Sequence, residues 1–341
     1  MQKVTLKALA KILGLSTSTV SKALKDYHDV SAETKLKVKN LAEKLNYTPN
    51  VFAQSLRSHE TKIIGLLVPN LVHHFFSNII NGVIQQAEKH GYLVIVVQSN
   101  ESYEDEIKQL ELLVNKNIDG ILLGLSNATE KYNHINDIIK KGMPVVLFDK
   151  ISRLVDCSRV IIDDRKAAFN ATEHLIKTGC KKIAHITGPL NPKTTIDRYM
   201  GYKIALEKYN MPFDKSLIYN GEKFSFEDGY NLANQMMNEH PDVDGVFGFT
   251  DLLAIGALEA FKERKIKVPE QVSVIGFSNW FMSKTTTPSL TTINQPAHEI
   301  GKKAFELLLD NLSQIRDGMD VTYETIEIPT SIIHRNSTRN S

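Results

Sequence analysis

Thr5-Leu6-Lys7-Ala8-Leu9-Ala10-Lys11-Ile12-Leu13-Gly14-Leu15-Ser16-Thr17-Ser18-Thr19-Val20-Ser21-Lys22-Ala23-Leu24 sets the character of the whole chain. The Thr5 hydroxyl can accept from the open backbone N–H groups of a helix that carries Leu6, Leu9, Ala10 and Leu13 on one face. Gly14 stops that helix. Ser16 caps a second one, Thr17 to Leu24, in which Val20, Ala23 and Leu24 point inward while Thr17, Ser18, Ser21 and Lys22 point out. A third helix opens at Ser31 and runs to Leu45, with Val38, Leu41, Ala42 and Leu45 closing a miniature core against the first pair. So small a core is marginally stable.

The outward face of the second helix is short, polar and cationic. That suits a DNA major groove, where hydroxyls meet donors or acceptors and a lysine reaches guanine, so Thr17, Ser18 and Lys22 are candidate base readers. The bland alternative is a helical bundle whose polar face only touches water. Charge argues against it: residues 1–60 carry ten basic and five acidic side chains, whereas the remainder carries 31 basic and 34 acidic. A chain of net charge +2 therefore has a basic end, as phosphate contact requires. Next, Pro49 and Asn50 open a helix of only about two turns, too short to persist alone in water because nucleation is costly.

Val4-Thr5-Leu6, Gly14-Leu15-Ser16, Thr19-Val20-Ser21-Lys22, Val30-Ser31, and Tyr47, Pro49, Asn50, Ala53 and Leu56 together resemble the lactose/galactose-repressor family, and the resemblance extends over the full chain. It implies hinge helices from two subunits that pair in the minor groove, where a leucine, by position Leu56, wedges between central base steps. Unstacking at a flexible step in exchange for a bent, larger interface makes physical sense of such a wedge; the bland reading is a leucine packed in a linker. The expected DNA-binding set is Thr5, Ser16, Thr17, Ser18, Thr19, Ser21, Lys22, Asn50, Ala53 and Leu56.

At 341 residues the chain is long enough for about two or three compact units. Cys157 and Cys180 have no paired spacing, which implies no disulfide framework and fits a reducing cytoplasm. The amino terminus lacks an apolar signal segment, and no run approaches the roughly 18 apolar residues of a membrane span. From Lys62 onward apolar strands alternate with amphipathic helices, the pattern of parallel sheets covered on both faces. One series has strands near Ile63–Val68, Leu93–Gln98, Gly120–Leu125 and Val145–Phe148. A second has strands near Val160–Ile162, Ile183–Thr187, Val243–Phe249 and Val272–Gly276. Leu290 to Pro296 resembles the family's crossover back to the first lobe, ahead of a helix from Ala297.

The expected fold is thus a small all-α helix-turn-helix DNA-binding domain (1–48), a hinge helix and linker (49–61), and a bilobed α/β body like a periplasmic binding protein (62–341). Its two doubly wound parallel sheets would form a first lobe of about 62–158 and 292–322 and a second of about 159–291 and 323–341.

Ligands of open parallel sheets bind outside the carboxyl ends of the strands. Asp149, Thr250-Asp251 and Ser278-Asn279 follow strands there, and Arg198 opens the helix after Ile183–Thr187. Carboxylates, an amide and a guanidinium fork match the hydroxyls of a sugar or an anionic group on one, with Phe75 and Phe76 as an apolar wall. An aspartate after a strand also serves simply as a helix cap. The resemblance favours effector contact for Asp149, Arg198, Asp251 and Gln295. Many relatives carry aspartate where this chain has Ser278, which weakens transfer of any particular sugar. Trp280 and Phe281 either stack on a ligand or pack between subunits. His73-His74, with no carboxylate or cysteine spacing, reads as a rim pair rather than a metal site. No metal or cofactor is expected.

The reading is a non-enzymatic transcriptional regulator, expected to be a repressor in the cytoplasm. A homodimer or dimer of dimers would bind a palindromic double-stranded operator and be switched by a small ligand, foremost a sugar or sugar derivative, between the lobes. A periplasmic-type sugar-binding protein without DNA function is the rival for the body alone, but it needs export. An enzyme of the Rossmann or kinase type needs glycines after the first strand, where Pro69-Asn70-Leu71-Val72-His73 stands instead. Asp149→Ala or Arg198→Ala is expected to remove the ligand response and spare operator binding.

Overall fold

The computed structural model describes residues 4–47, 60–189 and 192–340, and the chain divides into two compact units, Met1–Thr61 and Lys62–Ser341. In the first unit the caps start the helices as expected. Thr5 Oγ1 accepts from Ala8 N ahead of α1 (Leu6–Leu13), Ser16 Oγ from Thr19 N ahead of α2 (Thr17–Leu24), and Ser31 Oγ from Thr34 N ahead of α3 (Ala32–Lys44). Gly14 ends α1 at φ 64°, a left-handed geometry that costs glycine nothing. Leu9, Ala10, Val20, Ala23, Val30, Val38 and Ala42 bury the shared core. The hinge, with Asn50, Ala53 and Leu56, lies outside the described residues.

The second unit contains two six-stranded sheets, each covered by helices on both faces. The first is built from β1 (Ile63–Val68), β2 (Leu93–Gln98), β3 (Gly120–Leu123), β4 (Val145–Phe148), β5 (Ser158–Ile161) and β11 (Thr325–Glu327), in the order β11-β5-β4-β3-β1-β2. The second comprises β6 (Ile183–Thr187), β7 (Ile218–Asn220), β8 (Gly245–Gly248), β9 (Ser273–Phe277), β10 (Thr291–Asn294) and β12 (Ser331–Ile333), ordered β12-β10-β9-β8-β6-β7. All pairings are parallel except β10 with β12. β1, β3 and β4 are buried almost throughout, which is why they read as unbroken apolar runs.

Two expectations about the lobes are corrected by these pairings. The strand at Val160, expected to open the second lobe, is β5 and pairs with β4 (Leu147 with Arg159, Phe148 with Val160) in the first sheet, where β11 also joins it. The segment at Leu290, expected to return to the first lobe, first adds β10 to the second sheet beside β9; the crossing follows it, at α11 (Ala297–Arg316), which packs on the first sheet. Alternation of strand and helix reveals elements, but sheet membership depends on long-range pairing.

The helices between the strands are α4 (His74–Lys89), α5 (Tyr103–Val114), α6 (Asn133–Lys140), α7 (Asp164–Lys177), α8 (Lys193–Lys208), α9 (Phe226–Glu239) and α10 (Asp251–Glu263). Three pairs cross at backbone contact, α4 with α11, α7 with α8, and α9 with α10. Glycine permits the approach: a Cβ on Gly301 would lie 2.1 Å from the Ile79 carbonyl oxygen, and one on Gly82 would lie 2.1 Å from that of His298.

Candidate functional site

A cavity of about 690 Å³ lies at the carboxyl ends of both sheets' strands. Its walls come from the turns that leave β1, β4, β8 and β9, from the starts of α4, α8 and α10, and from Gln295 after β10. Of the effector residues expected from sequence, Phe75, Phe76, Asp149, Arg198, Asp251, Ser278 and Gln295 line it. Asn279 is not among the lining residues. Its amide donates to Asn294 Oδ1 (2.9 Å), its Oδ1 accepts from Arg335 Nη2 (2.6 Å) and its backbone N–H donates to Thr292 Oγ1, so it locks the β9 turn to β10 instead. Asp149, Ser278 and Asn279 have φ of 61°, 110° and 51°, conformations costly for residues with a Cβ and common where structure fixes a functional group.

Arg198 does not open its helix but sits in the second turn of α8, and its guanidinium is built into the core. Nε donates to Asp164 Oδ1 (2.7 Å) and Nη1 to the Phe249 carbonyl (2.8 Å), with the Phe277 ring 3.6 Å and the Phe249 ring 4.4 Å from its central carbon. Burial pushes the Asp164 carboxyl up while Arg198 opposes that rise. Asp251 is similarly engaged: it takes the Thr292 hydroxyl on one oxygen and the Trp280 backbone N–H (2.6 Å) on the other, and burial lifts it to about 6. Asp149 accepts a long bond from Gln295 Nε2 (3.4 Å), and burial pushes its carboxyl up to about 7.

Sequence reasoning missed Glu101, Asn127 and Lys150, which also line the cavity. Lys150 Nζ donates to both Glu101 carboxylate oxygens (2.9 and 2.8 Å) and to Asn127 Oδ1 (2.7 Å), while Asn127 N donates to Glu101 Oε2 (2.6 Å). Behind them the fully buried Glu106 accepts from Ser126 N, Thr129 Oγ1 and His134 Nε2 at 2.7, 2.8 and 2.9 Å, which fixes the turn that presents Asn127. Because each follows β2, β3 or β4, the strand-end rule would have found all three had it been applied to every strand.

His73 and His74 are lining residues rather than rim decoration, and burial lowers both, His74 to about 4. Among the described residues no His, Cys, Asp and Glu group could hold a metal. The His74 ring stands 5.6 Å from the ring of Trp280, so α4 of the first lobe touches the β9 turn of the second across the cavity. Three buried lining atoms have no hydrogen-bond partner: His73 Nδ1, Thr195 Oγ1 and Trp280 Nε1. Buried polar atoms are rarely left so, and here they face a space a ligand could fill.

In the first unit Thr17, Ser18 and Lys22 are exposed on α2 and Thr19 and Ser21 half-buried, whereas Thr5 and Ser16 spend their hydroxyls as caps. Lys22 is paired with Asp29, and Lys39 with Asp26 at 2.6 Å. Both pairs are exposed and worth little in water, so phosphate or base contact can replace them.

Residues 5–50 match the model of bacterial regulatory proteins of the lacI family, and 61–335 match that of periplasmic binding proteins and the sugar-binding domain of the LacI family. The chain is 32% identical over 335 residues to the HTH-type transcriptional repressor PurR of Vibrio atlanticus (strain LGP32), covering 98% of each. Among solved structures, the Lac repressor dimer bound to operator and the anti-inducer ONPF is 25% identical with a TM-score of 0.87, over 99% of this chain and 100% of that one. The transcriptional regulator CelR in complex with cellobiose is 26% identical with a TM-score of 0.74, over 98% and 100%.

Proposed function

Because this chain belongs to the LacI family of bacterial regulatory proteins, DNA-binding regulators with small-molecule effectors rather than enzymes, we propose how its own residues divide that work. The α2 face carrying Thr17, Ser18, Thr19, Ser21 and Lys22 reads operator bases, with Thr5 and Ser16 at the helix ends beside the phosphates. Asn50, Ala53 and Leu56 act in the minor groove from a hinge in 49–61 that becomes helical with its copy from a second subunit. The chain works as a homodimer on a palindromic operator in the cytoplasm, and among the described residues no helix is long and apolar enough to cross a membrane.

The effector occupies the cavity of about 690 Å³, and that cavity carries the reading: Phe75, Phe76 and Asp149 face it from one lobe, and Arg198, Asp251 and Ser278 from the other, with Gln295 at the crossover. A molecule touching both walls has a different affinity for each angle between the lobes, so it shifts their distribution and with it the separation of the two hinge segments. Coupling of about 1–3 kcal/mol changes operator affinity roughly 5- to 150-fold. A sugar or sugar derivative is the class we infer, supported by the hydroxyl-matching groups on both walls and by the cellobiose complex of CelR.

The test pairs a thermal-shift screen of sugars on the full chain with duplex binding by fluorescence anisotropy, using operator fragments selected from random sequence. A compound that raises the melting point should change duplex affinity at least fivefold, near the lower end of the roughly 5- to 150-fold range, and lose that effect in Asp149→Asn. Tight binding with no change in duplex affinity would refute the coupling.

A further inference from the structure

The cavity is rich in charged side chains, yet its ions are already matched. Lys150 directs its ammonium at Glu101 and Asn127, and Arg198 gives Nε to Asp164 and Nη1 to a carbonyl. Both oxygens of Asp251 are engaged by Thr292 and by the Trp280 backbone. The remaining lining lysine, Lys223, is exposed next to the exposed Glu222. A phosphate entering this space would surrender its hydration without gaining an uncommitted buried cation, the case in which burying charge is most costly. Two helix starts at the wall, those of α4 and α8, carry no side-chain cap. Each presents roughly half a positive charge on N–H groups, enough to favour the lone pairs of a hydroxyl or carbonyl but less than a full anion demands.

What the cavity leaves unmatched is neutral: Trp280 Nε1, Thr195 Oγ1 and His73 Nδ1, set among the rings of Phe75, Phe76, Phe224 and Phe249. An indole N–H can only donate, so Trp280 needs an acceptor from whatever fills the space. We propose that the effector is an uncharged molecule with an apolar face and a hydrogen-bond acceptor, that Trp280 donates its indole N–H to that acceptor as a specificity-determining contact, and that phosphorylated or carboxylated forms of the same molecule are rejected. This rests on the cavity being the effector site.

Trp280 is the single tryptophan of the chain, so its emission reports the site directly. The full chain would be titrated with matched pairs: D-ribose and ribose 5-phosphate, D-glucose and glucose 6-phosphate, adenosine and AMP. At least one neutral member should shift the emission to saturation, its phosphorylated partner needing roughly tenfold more or failing. Trp280→Phe, which keeps a ring beside His74 but removes the N–H, should weaken that neutral member roughly tenfold in a thermal-shift titration. Glu101→Gln, which leaves Lys150 without its counter-charge, should narrow the gap between the pair.

Saturation by no neutral member, a phosphorylated member binding as tightly as its neutral partner, or unchanged affinity in a folded Trp280→Phe protein would each overturn the proposal. A phosphorylated effector that still alters duplex binding would sink this inference and leave the proposed function standing. A neutral ligand that binds through Trp280 without altering duplex binding would do the reverse.

Discussion

Replacing Arg198 with alanine separates a ligand contact from a structural ion, two roles that the residue combines. Its guanidinium is 4% exposed and Asp164 is 7% exposed, joined at 2.7 Å. Removing the cation leaves a carboxylate in the interior of the second lobe, for which about 3–5 kcal/mol is the usual loss. Departure from the faces of Phe249 and Phe277 adds up to about 2 kcal/mol. Protonation of Asp164, which burial already favours, recovers part of this, so a net loss of about 3 kcal/mol is expected at neutral pH. The assay is urea unfolding of the full chain followed through Trp280 emission, with Arg198→Leu combined with Asp164→Leu as a control. An apolar pair of similar volume should recover most of the stability because no charge remains buried alone. An Arg198→Ala protein with an unchanged unfolding midpoint would refute the reasoning and return Arg198 to the role of ligand contact alone. The expectation that this substitution spares operator binding therefore gives way: duplex affinity should fall with the folded fraction.

Asp149 titrates from inside the cavity, and its folded pKa of about 7 lies above the model value of 3.8. The neutral form thus stabilises the folded chain below about pH 4, and that contribution fades as the pH rises to about 7, by roughly 4 kcal/mol in total. Asp149→Asn does not titrate, so its stability relative to the parent should climb over that window and level off above it, with Lys150, Asp164, Arg198 and Glu101 the same in both proteins; parallel pH profiles of the melting point would contradict this. Gly301→Ala forces a methyl to within 2.1 Å of the Ile79 carbonyl oxygen and should cost about 3 kcal/mol as α4 and α11 part, which a thermal melt with an unshifted midpoint would disprove. Leu56→Ala should weaken operator binding by more than about 1 kcal/mol while leaving effector affinity intact, and equal anisotropy titrations for the two proteins would remove the wedge.

Elements whose signal is local were legible. Thr5, Ser16 and Ser31 stand immediately before the helices they cap, and Gly14 occupies the left-handed stop that its chemistry suits. β7, β11 and β12 escaped notice because three-residue strands present no alternation long enough to detect. β5 was visible but assigned to the wrong sheet: nothing in Ser158–Ile161 encodes whether Val160 will lie beside Phe148 or join the strands that follow. The glycines within α4 and α11 mark the crossing of those helices, yet without the partner backbone at 2.1 Å they read only as weak helix formers.

The cavity shows the same division between local and distant signals, and there it bears on chemistry. Asp149 and Asp251 were found because both follow strands, a local fact, and from their residue types the site reads as an ionic one suited to a charged or heavily hydroxylated ligand. What each charge does depends on a partner far along the chain: Lys150 on Glu101, 49 residues earlier, and Arg198 on Asp164, 34 residues earlier. Once those pairs form, the ions cancel and burial raises Asp149 toward its neutral form, leaving an indole, a hydroxyl and an imidazole as the groups still unmatched. The side chains that look most reactive in sequence thus hold the walls in place, and recognition passes to Trp280, Thr195 and His73. Folding the same residues with either ion pair broken would therefore change the class of ligand accepted, which is why the Glu101→Gln arm of the titration bears on the whole cavity and not only on Lys150.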